Sequence, residues 1–430
     1  MLNHAFGVIQ WLAADTVGTT YTVNLPAGFN LKAIKFYSVG IQSATDALSE
    51  TTHGRTTVGF ATGTAARRAV GATDYDNATE NTSGAAIRND CVALTADDTG
   101  AITGLLDVTT FSSEQFILTV ADQVPNSLTV GYDAWGGSDI TVATVGDFAE
   151  PAATGVQSYT VTGFTAAGTD QVVMLGGCNV TAALNSPGDV GSAVYAGYFT
   201  GSASAENIVV SGRGDDGSAN TQVSSYCKTG ECLTHLTKIG GAPGARAIGN
   251  FATDAFQLNW LERTTTGRKS IYLALKGGQW KAGAYTIDGT TINATATVSG
   301  LPFQPIGLNL IGAMRVESTV DVSTIKKVVA FGSGSSTTSR QSMGLDIVNN
   351  AVTSDVNTTI QYDQVLCYPS DSNTLQAAYD IDAITSDGFR IITDVGPGVA
   401  SEWQGYLAFA GAPSKAFPFR RPSFTHMLVR

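Results

Sequence analysis

Charge is what this sequence has least of. Asp, Glu, Lys and Arg make up 14% of its 430 residues, against a usual share of about 25%, which argues against long charged helices as the building material. The formal charge of −12 argues against a general nucleic-acid partner, because phosphate neutralisation needs clustered Lys and Arg. Long apolar runs are missing too. None approaches the ~20 residues that cross a bilayer as a helix, so no membrane partner is expected. Residues 1–11 lack the basic flank and long apolar stretch of a secretory signal, so the expected place of synthesis and assembly is a cytoplasm.

Reactive residues are equally scarce. The five cysteines (Cys91, Cys178, Cys227, Cys232, Cys367) are odd in number and too sparse for a disulfide framework. The four histidines (His4, His53, His235, His426) include no His-Glu-x-x-His, and neither a Gly-x-Ser-x-Gly elbow nor a phosphate-binding Gly-x-x-x-x-Gly-Lys-Ser/Thr loop occurs. No enzyme and no cofactor is expected. Cys227, Cys232 and His235 could be three zinc ligands, but no fourth is evident. The simpler reading places one cysteine of the pair at a core position shared with Cys91 and Cys367.

What the sequence does have is a threefold echo. Phe116-Ile-Leu-Thr-Val120 precedes Tyr132-Asp-Ala-Trp-Gly-Gly137, Phe256-Gln-Leu-Asn-Trp260 precedes Tyr272-Leu-Ala-Leu-Lys-Gly-Gly278, and Phe389-Arg-Ile-Ile-Thr393 precedes Tyr406-Leu-Ala-Phe-Ala-Gly411. The Phe-to-Tyr step is 16, 16 and 17 residues. Upstream of each lies a strand-like run, a Gly or Pro turn and a Phe (Phe29, Phe164, Phe303), 135 and 139 residues apart, which makes the repeat domain-sized. Further markers keep the order: Val58-Gly-Phe-Ala-Thr-Gly63, Gly197-Tyr-Phe-Thr-Gly201 and Val329-Ala-Phe-Gly-Ser-Gly334, each an aromatic before a glycine turn.

Short apolar runs separated by Gly, Asn, Asp, Ser and Pro, with no sustained 3.6-residue period, predict an all-β protein. The expected architecture is three tandem, jelly-roll-like β-sandwich modules with terminal arms. The expected boundaries are an N-terminal arm over 1–20, modules over 21–150, 151–290 and 291–411, and a basic tail over 412–430. Residues 375–384 come nearest to a short helix, and even they alternate. The joints at 138–157 and 279–293 carry strand-like runs of their own.

The tail is the one candidate interaction site. Lys415, Arg420, Arg421 and Arg430 stand with Phe417, Phe419 and Phe424 and with no acidic residue, as suits docking on an acidic neighbour or on another copy; packing along the third module is the other reading. Acidic turns at Asp97-Asp98 and Asp215-Asp216 read as solvated turns, with calcium as the alternative, and Arg213-Gly-Asp215 matches an adhesion tripeptide. Trp135, Trp260, Trp280 and Trp403 sit on or beside the repeated strands, buried in a core or exposed to stack on sugar.

The phrase Gly163-Phe164, then Phe251-Ala-Thr-Asp-Ala-Phe-Gln-Leu-Asn-Trp260, then Ile271-Tyr-Leu-Ala-Leu-Lys-Gly-Gly278, resembles β-rich virion structural proteins of tailed bacteriophages. The resemblance covers the second module best and reaches the others through spacing. It implies a non-enzymatic virion part: a capsid decoration protein, head fibre, or neck or tail appendage. Its partners would be other virion proteins of the capsid or tail and further copies of itself, as a homo-oligomer such as a trimer; three modules in one chain could equally mimic a trimer. A carbohydrate- or host-receptor-binding protein is the competing class. A polysaccharide-degrading enzyme using Glu262, Glu402 or Asp254 is a third.

Overall fold

A strand that is apolar at every residue needs cover on both faces, and this fold supplies it. The structure, a computed structural model, describes all residues except 51–52, 76–81, 167, 215–222, 237–242, 265, 318–325, 349–354, 373 and 412–430. It is all-β; the one helix among the described residues is a single 3-10 turn at Ser204–Glu206.

The strands follow in chain order. The first eleven are β1 (Leu2–Trp11), β2 (Thr20–Asn24), β3 (Leu31–Ser38), β4 (Ala47–Glu50), β5 (His53–Ala61), β6 (Arg67–Tyr75), β7 (Ser83–Arg88), β8 (Ala93–Ala96), β9 (Ile102–Phe111), β10 (Gln115–Asp122) and β11 (Leu128–Gly137). Then come β12 (Val142–Ala149), β13 (Gly155–Thr160), β14 (Gln171–Cys178), β15 (Asp189–Val190), β16 (Val194–Phe199), β17 (Asn207–Gly214), β18 (Val223–Thr229), β19 (Leu233–His235), β20 (Ala245–Ala252), β21 (Ala255–Glu262) and β22 (Lys269–Lys276). The last ten are β23 (Gln279–Ile287), β24 (Thr295–Val298), β25 (Gly307–Gly312), β26 (Lys326–Ser336), β27 (Ser339–Val348), β28 (Val356–Gln361), β29 (Leu366–Pro369), β30 (Leu375–Thr385), β31 (Gly388–Val395) and β32 (Glu402–Ala410).

They pair into six antiparallel sheets that repeat one order three times. The large sheets run β1-β11-β3-β5-β6-β7, β12-β22-β14-β16-β17-β18 and β23-β32-β25-β26-β27-β28; the small ones run β2-β10-β9-β8, β13-β21-β20-β19 and β24-β31-β30-β29. Sequential hairpins supply most neighbours. This is meander connectivity, whereas a jelly roll passes between its two sheets at nearly every step.

Each large sheet has two apolar faces. In β3, Ile34 and Phe36 face a cluster shared with the small sheet, while Ala33 and Tyr37 join a central cluster built from all three large sheets. β14 divides likewise, Val173 and Leu175 against Val172 and Met174. The period-2 alternation of a strand therefore sorts its side chains between a local core and a common one.

The repeated Phe and Tyr have a shared job. Phe116–Tyr132, Phe256–Tyr272 and Phe389–Tyr406 meet edge to face across the two sheets, at 5.2, 5.0 and 5.1 Å between ring centroids. Each Tyr stands opposite a glycine of the first strand: Gly7, Gly146 and Gly283. A methyl group on any of these glycines would collide with the phenol.

Two expectations need correction. Residues 2–11, expected within an arm, are β1, paired with β11 from end to end. Its pattern is weak because it is a half-exposed edge strand. β12 and β23, read as joints, are the matching first strands, so every set begins one strand earlier than expected. Residues 375–384, the run nearest to a helical pattern, are strand like the rest, in keeping with an all-β chain.

Edges are exchanged between the sets. β4 extends the third large sheet by pairing with β28, and β15 extends the first by pairing with β7. The third set reaches the second through residues 315–317: Arg315 donates to Ser225 O, and Glu317 accepts from Thr229 N at 2.8 Å. First to third, second to first, third to second: the contacts close a ring.

Candidate functional site

Two buried polar nodes hold the ring, and each draws side chains from all three sets. Lys35 of β3 donates to the Tyr198 hydroxyl at 2.7 Å and lies 3.5 Å from Asn309 Oδ1. Its neighbours Phe36, Leu175 and Leu310 face the repeated tyrosines in register, so Lys35, Met174 and Asn309 are equivalent positions with unlike residues. Burial pulls the Lys35 ammonium down to about 8, and the nearby Asp133 carboxylate opposes that shift. Asp133 accepts from Ser333 Oγ at 2.8 Å and sits 3.0 Å from His4 Nε2.

In the second node Lys327 reaches Asp74 at 2.5 Å, Ser192 Oγ at 2.7 Å and Ser192 O at 2.9 Å. Ser192 Oγ in turn donates to Asp74. All three residues are buried, so the pair is desolvated and depends on its own hydrogen bonds.

The catalytic and metal candidates do not assemble. Cys227 belongs to the central cluster and Cys232 to that of the second set, and their thiols aim at Val316 O and Ala247 O. Burial raises both thiols, Cys227 to about 12, so thiolate ligation is disfavoured. Among the described residues no three acidic, Cys or His side chains cluster as metal ligands.

His235 lies 3.2 Å from Ser270 Oγ and 3.8 Å from Glu150 Oε1, which at first glance suggests a Ser-His-acid triad. Both contacts fall on Nε2, whereas a triad places the acid on the opposite nitrogen. Burial, reinforced by the Arg268 charge, drives His235 well below the usual range, so the ring stays neutral. Glu262 pairs with Arg246, Asp254 accepts from Gly163 N, and Glu402 accepts from Tyr379 at 2.5 Å. These carboxylates occupy separate settings. Burial raises Glu402 to about 7.

The cysteines are also not equivalent. A methyl on Gly59, Gly197 or Gly332 would run into the carbonyl of Val92, Cys232 or Val365. That register matches Cys232 to two valines, with Cys91 one residue before the shared position and Cys367 two after. The markers around these glycines lie on equivalent strands (β5, β16, β26), but the shared residue is the glycine and not the aromatic.

All five tryptophans are buried, at no more than 3% exposure, which removes them as sugar-stacking platforms. Asp97 caps its own turn, accepting from Thr99 N and Ala101 N at 2.9 Å each. Arg213 and Gly214 lie within β17, with Arg213 donating to Leu236 O; Asp215 lies outside the described residues.

Two open grooves lie where the sets hand the chain on. One groove of about 1180 Å³ runs between the Pro26–Phe29 turn and the Pro302–Ile306 segment and reaches Gly411. A second, of about 420 Å³, shares Gln279, Pro302 and Phe303 with it and adds Asp139 and Asp170. Sequence reasoning noted these turns only as repeat markers; a proline beside a recurrent Phe on an exposed turn was the available signal. The predicted tail residues Lys415, Phe417, Phe419, Arg420, Arg421, Phe424 and Arg430 lie outside the described residues.

No family model matches the chain, and no curated protein matches it in sequence. Among solved structures, the di-domain ARO/CYC protein StfQ of the steffimycin biosynthetic pathway is 9% identical, with a TM-score of 0.10, over 61% of this chain and 85% of that one. A likeness that low carries no argument. No helix among the described residues is long and apolar enough to cross a membrane.

Proposed function

We propose that the protein is a non-enzymatic structural component of a bacteriophage virion, decorating the capsid or forming part of a head, neck or tail appendage. The observation that carries this reading is the ring: one chain builds three equivalent sheet pairs and ties them together by two exchanged edge strands and the hydrogen bonds of residues 315–317. Such a body presents threefold-like faces without needing three subunits, which suits attachment at a threefold position of a particle. Its buried Lys35 and Lys327 are engaged in holding the sets together, and its low charge suits broad buried contacts with neighbours. The partners in this reading are other virion proteins of the capsid or tail, with further copies of the chain as a homo-oligomer. The tail residues 412–430 are contact residues, and assembly takes place in the host cytoplasm.

Quantitative mass spectrometry of purified particles, with electron microscopy of particles carrying a labelled copy, tests the reading. A fixed copy number at one defined position is expected. Absence from particles, or hydrolysis of a polysaccharide abolished by one carboxylate substitution, would overturn it. Saturable binding on a glycan array would instead favour the receptor-binding class; burial of every tryptophan disfavours that outcome.

A further inference from the structure

We propose that the open edge of β13 is a self-association surface, on which a second copy of the chain adds its own β13 antiparallel across a twofold axis. Each small sheet ends in a strand with one neighbour only: β2 on β10, β13 on β21, β24 on β31. The register of β13 runs from Gly155 opposite Trp260 to Thr160 opposite Ala255 without a bulge. Val161 N donates to Asp254 O at 2.9 Å, and the hydrogen-bonding direction alternates along an antiparallel strand. The amides and carbonyls of Gly155, Gln157 and Tyr159 therefore face β21, and those of Val156, Ser158 and Thr160 point away from it. Among the described residues no other strand pairs with them.

Native sheets protect such an edge with Lys, Pro or a bulge, and residues 155–160 have none of these. The three edges differ in what they present. Of the three strand pairs, only β13 with β21 carries exposed large apolar side chains, Val156 at 57% and Leu261 at 41%. β24 instead has Arg390 opposite Thr297.

Charge selects the occupant. A twofold axis sets each residue near it against its own copy, so a charge there repels itself. A foreign strand imposes no such condition and is selected by opposite charge. β13 has no charged residue in a chain of net charge −12, and the outer face of β21 beside it offers Gln257, Asn259 and Leu261. Asp254 and Glu262 lie towards opposite ends of that strand, held by Gly163 N and Arg246. With the axis at Ser158, Asp254 and its copy stand more than about 20 Å apart, beyond the screening length of about 8–10 Å. The same axis pairs Val156 with Thr160 and Ser158 with itself, with two hydrogen bonds to each pair. A contact of one strand pair lies below about 1,200 Å², so the dimer is reversible. The proposal gives the self-association named above a surface, but it needs no particle, so either can fail alone.

Sedimentation velocity on the full-length chain tests it, from micromolar concentration up to about 1 mM. A dimer should grow in with concentration. Ser158→Lys, which sets two ammonium groups across the axis, should remove the dimer; Thr297→Lys, the matching position on β24, should leave it. Oxidative trapping gives an independent readout. A hydrogen-bonded pair has Cα atoms about 5.5 Å apart, inside the disulfide range, and all five native cysteines are buried. Ser158→Cys should form a disulfide dimer about tenfold faster than Thr297→Cys under the same mild oxidant. A chain that is monomeric throughout would overturn the proposal and leave the edge to a foreign strand. A dimer that survives Ser158→Lys, or equal trapping at the two sites, would overturn it too, because the copies would then meet elsewhere.

Discussion

At the residue scale, energy is concentrated in a few desolvated polar groups. Lys327 and Asp74 come from different sheet sets and are fully buried together with Ser192. Removing one partner leaves an uncompensated charge in a dry interior, which costs about 3–5 kcal/mol. Lys327→Met should therefore destabilise by that amount in urea unfolding, and adding Asp74→Leu should recover much of the loss. A double variant no better than the single one would show that the pair is not what joins these sets. Glu402 makes a prediction about pH. Its carboxyl is raised from 4.5 to about 7, by burial first, so the folded chain keeps a proton that the unfolded chain has released. This contribution is complete below about pH 4.5 and is lost as pH rises through 7, amounting to about 3 kcal/mol. Glu402→Gln cannot ionise and keeps an acceptor for Tyr379. The stability difference between variant and unaltered protein should grow in the variant's favour from pH 5 to pH 7.5 and then level off. A difference flat across that range would count against a protonated Glu402.

At the element scale, the three sets are held to one geometry by close approaches that no side chain can enter. Gly59 on β5, Gly197 on β16 and Gly332 on β26 each lie under the backbone carbonyl of the residue that leads into β8, β19 or β29 of the small sheet. Alanine at any of them should overpack the sheet-to-sheet contact and cost about 2–3 kcal/mol, to a similar extent at all three sites. Denaturation of the three single variants checks this, and one tolerant position would break the equivalence. How much of this was legible in the sequence depended on which contacts are local in pattern. The Phe-to-Tyr step was readable because one cross-sheet ring pair fixes both residues, and a one-residue difference in step is absorbed between β31 and β32. β1 was not readable, because an edge strand with one half-exposed face lacks a clean alternation. β4 and β15 were beyond reach: four and two residues carry no periodicity, and their partners lie in other sets. The shared glycines were hidden behind the aromatics beside them, Phe60, Tyr198 and Phe331, which share the central cluster but fall after the glycine in two sets and before it in the third.

At the scale of the whole molecule, the order of the sets along the chain matters less than the ring they form. Gly411 lies beside Leu2, in the relation that Gly137 has to the start of the second set and Gly278 to the start of the third. The covalent opening between the third set and the first is therefore one of three near-equivalent places where the ring could be cut. Chains whose ends lie close together tolerate permutation when the new ends fall in exposed, lightly bonded backbone. Of the two other handover points, Gly277 and Gly278 are buried, with Gly277 donating to Asp170 O and accepting from Trp280 Nε1, whereas Ser138 is exposed. A permutant that starts at Ser138, with residue 411 joined to residue 2 by a short Gly–Ser linker, should fold to the same sheet content. Its melting temperature should fall by only a few degrees, which corresponds to a loss of about 1 kcal/mol. The two polar nodes are the reason to expect cooperativity to survive, since Lys35 and Lys327 each bind side chains of both other sets whatever the order of synthesis. A permutant with three separate transitions, or one that collapses without fixed tertiary signals, would mean that the sets are strung along the chain and not closed upon one another.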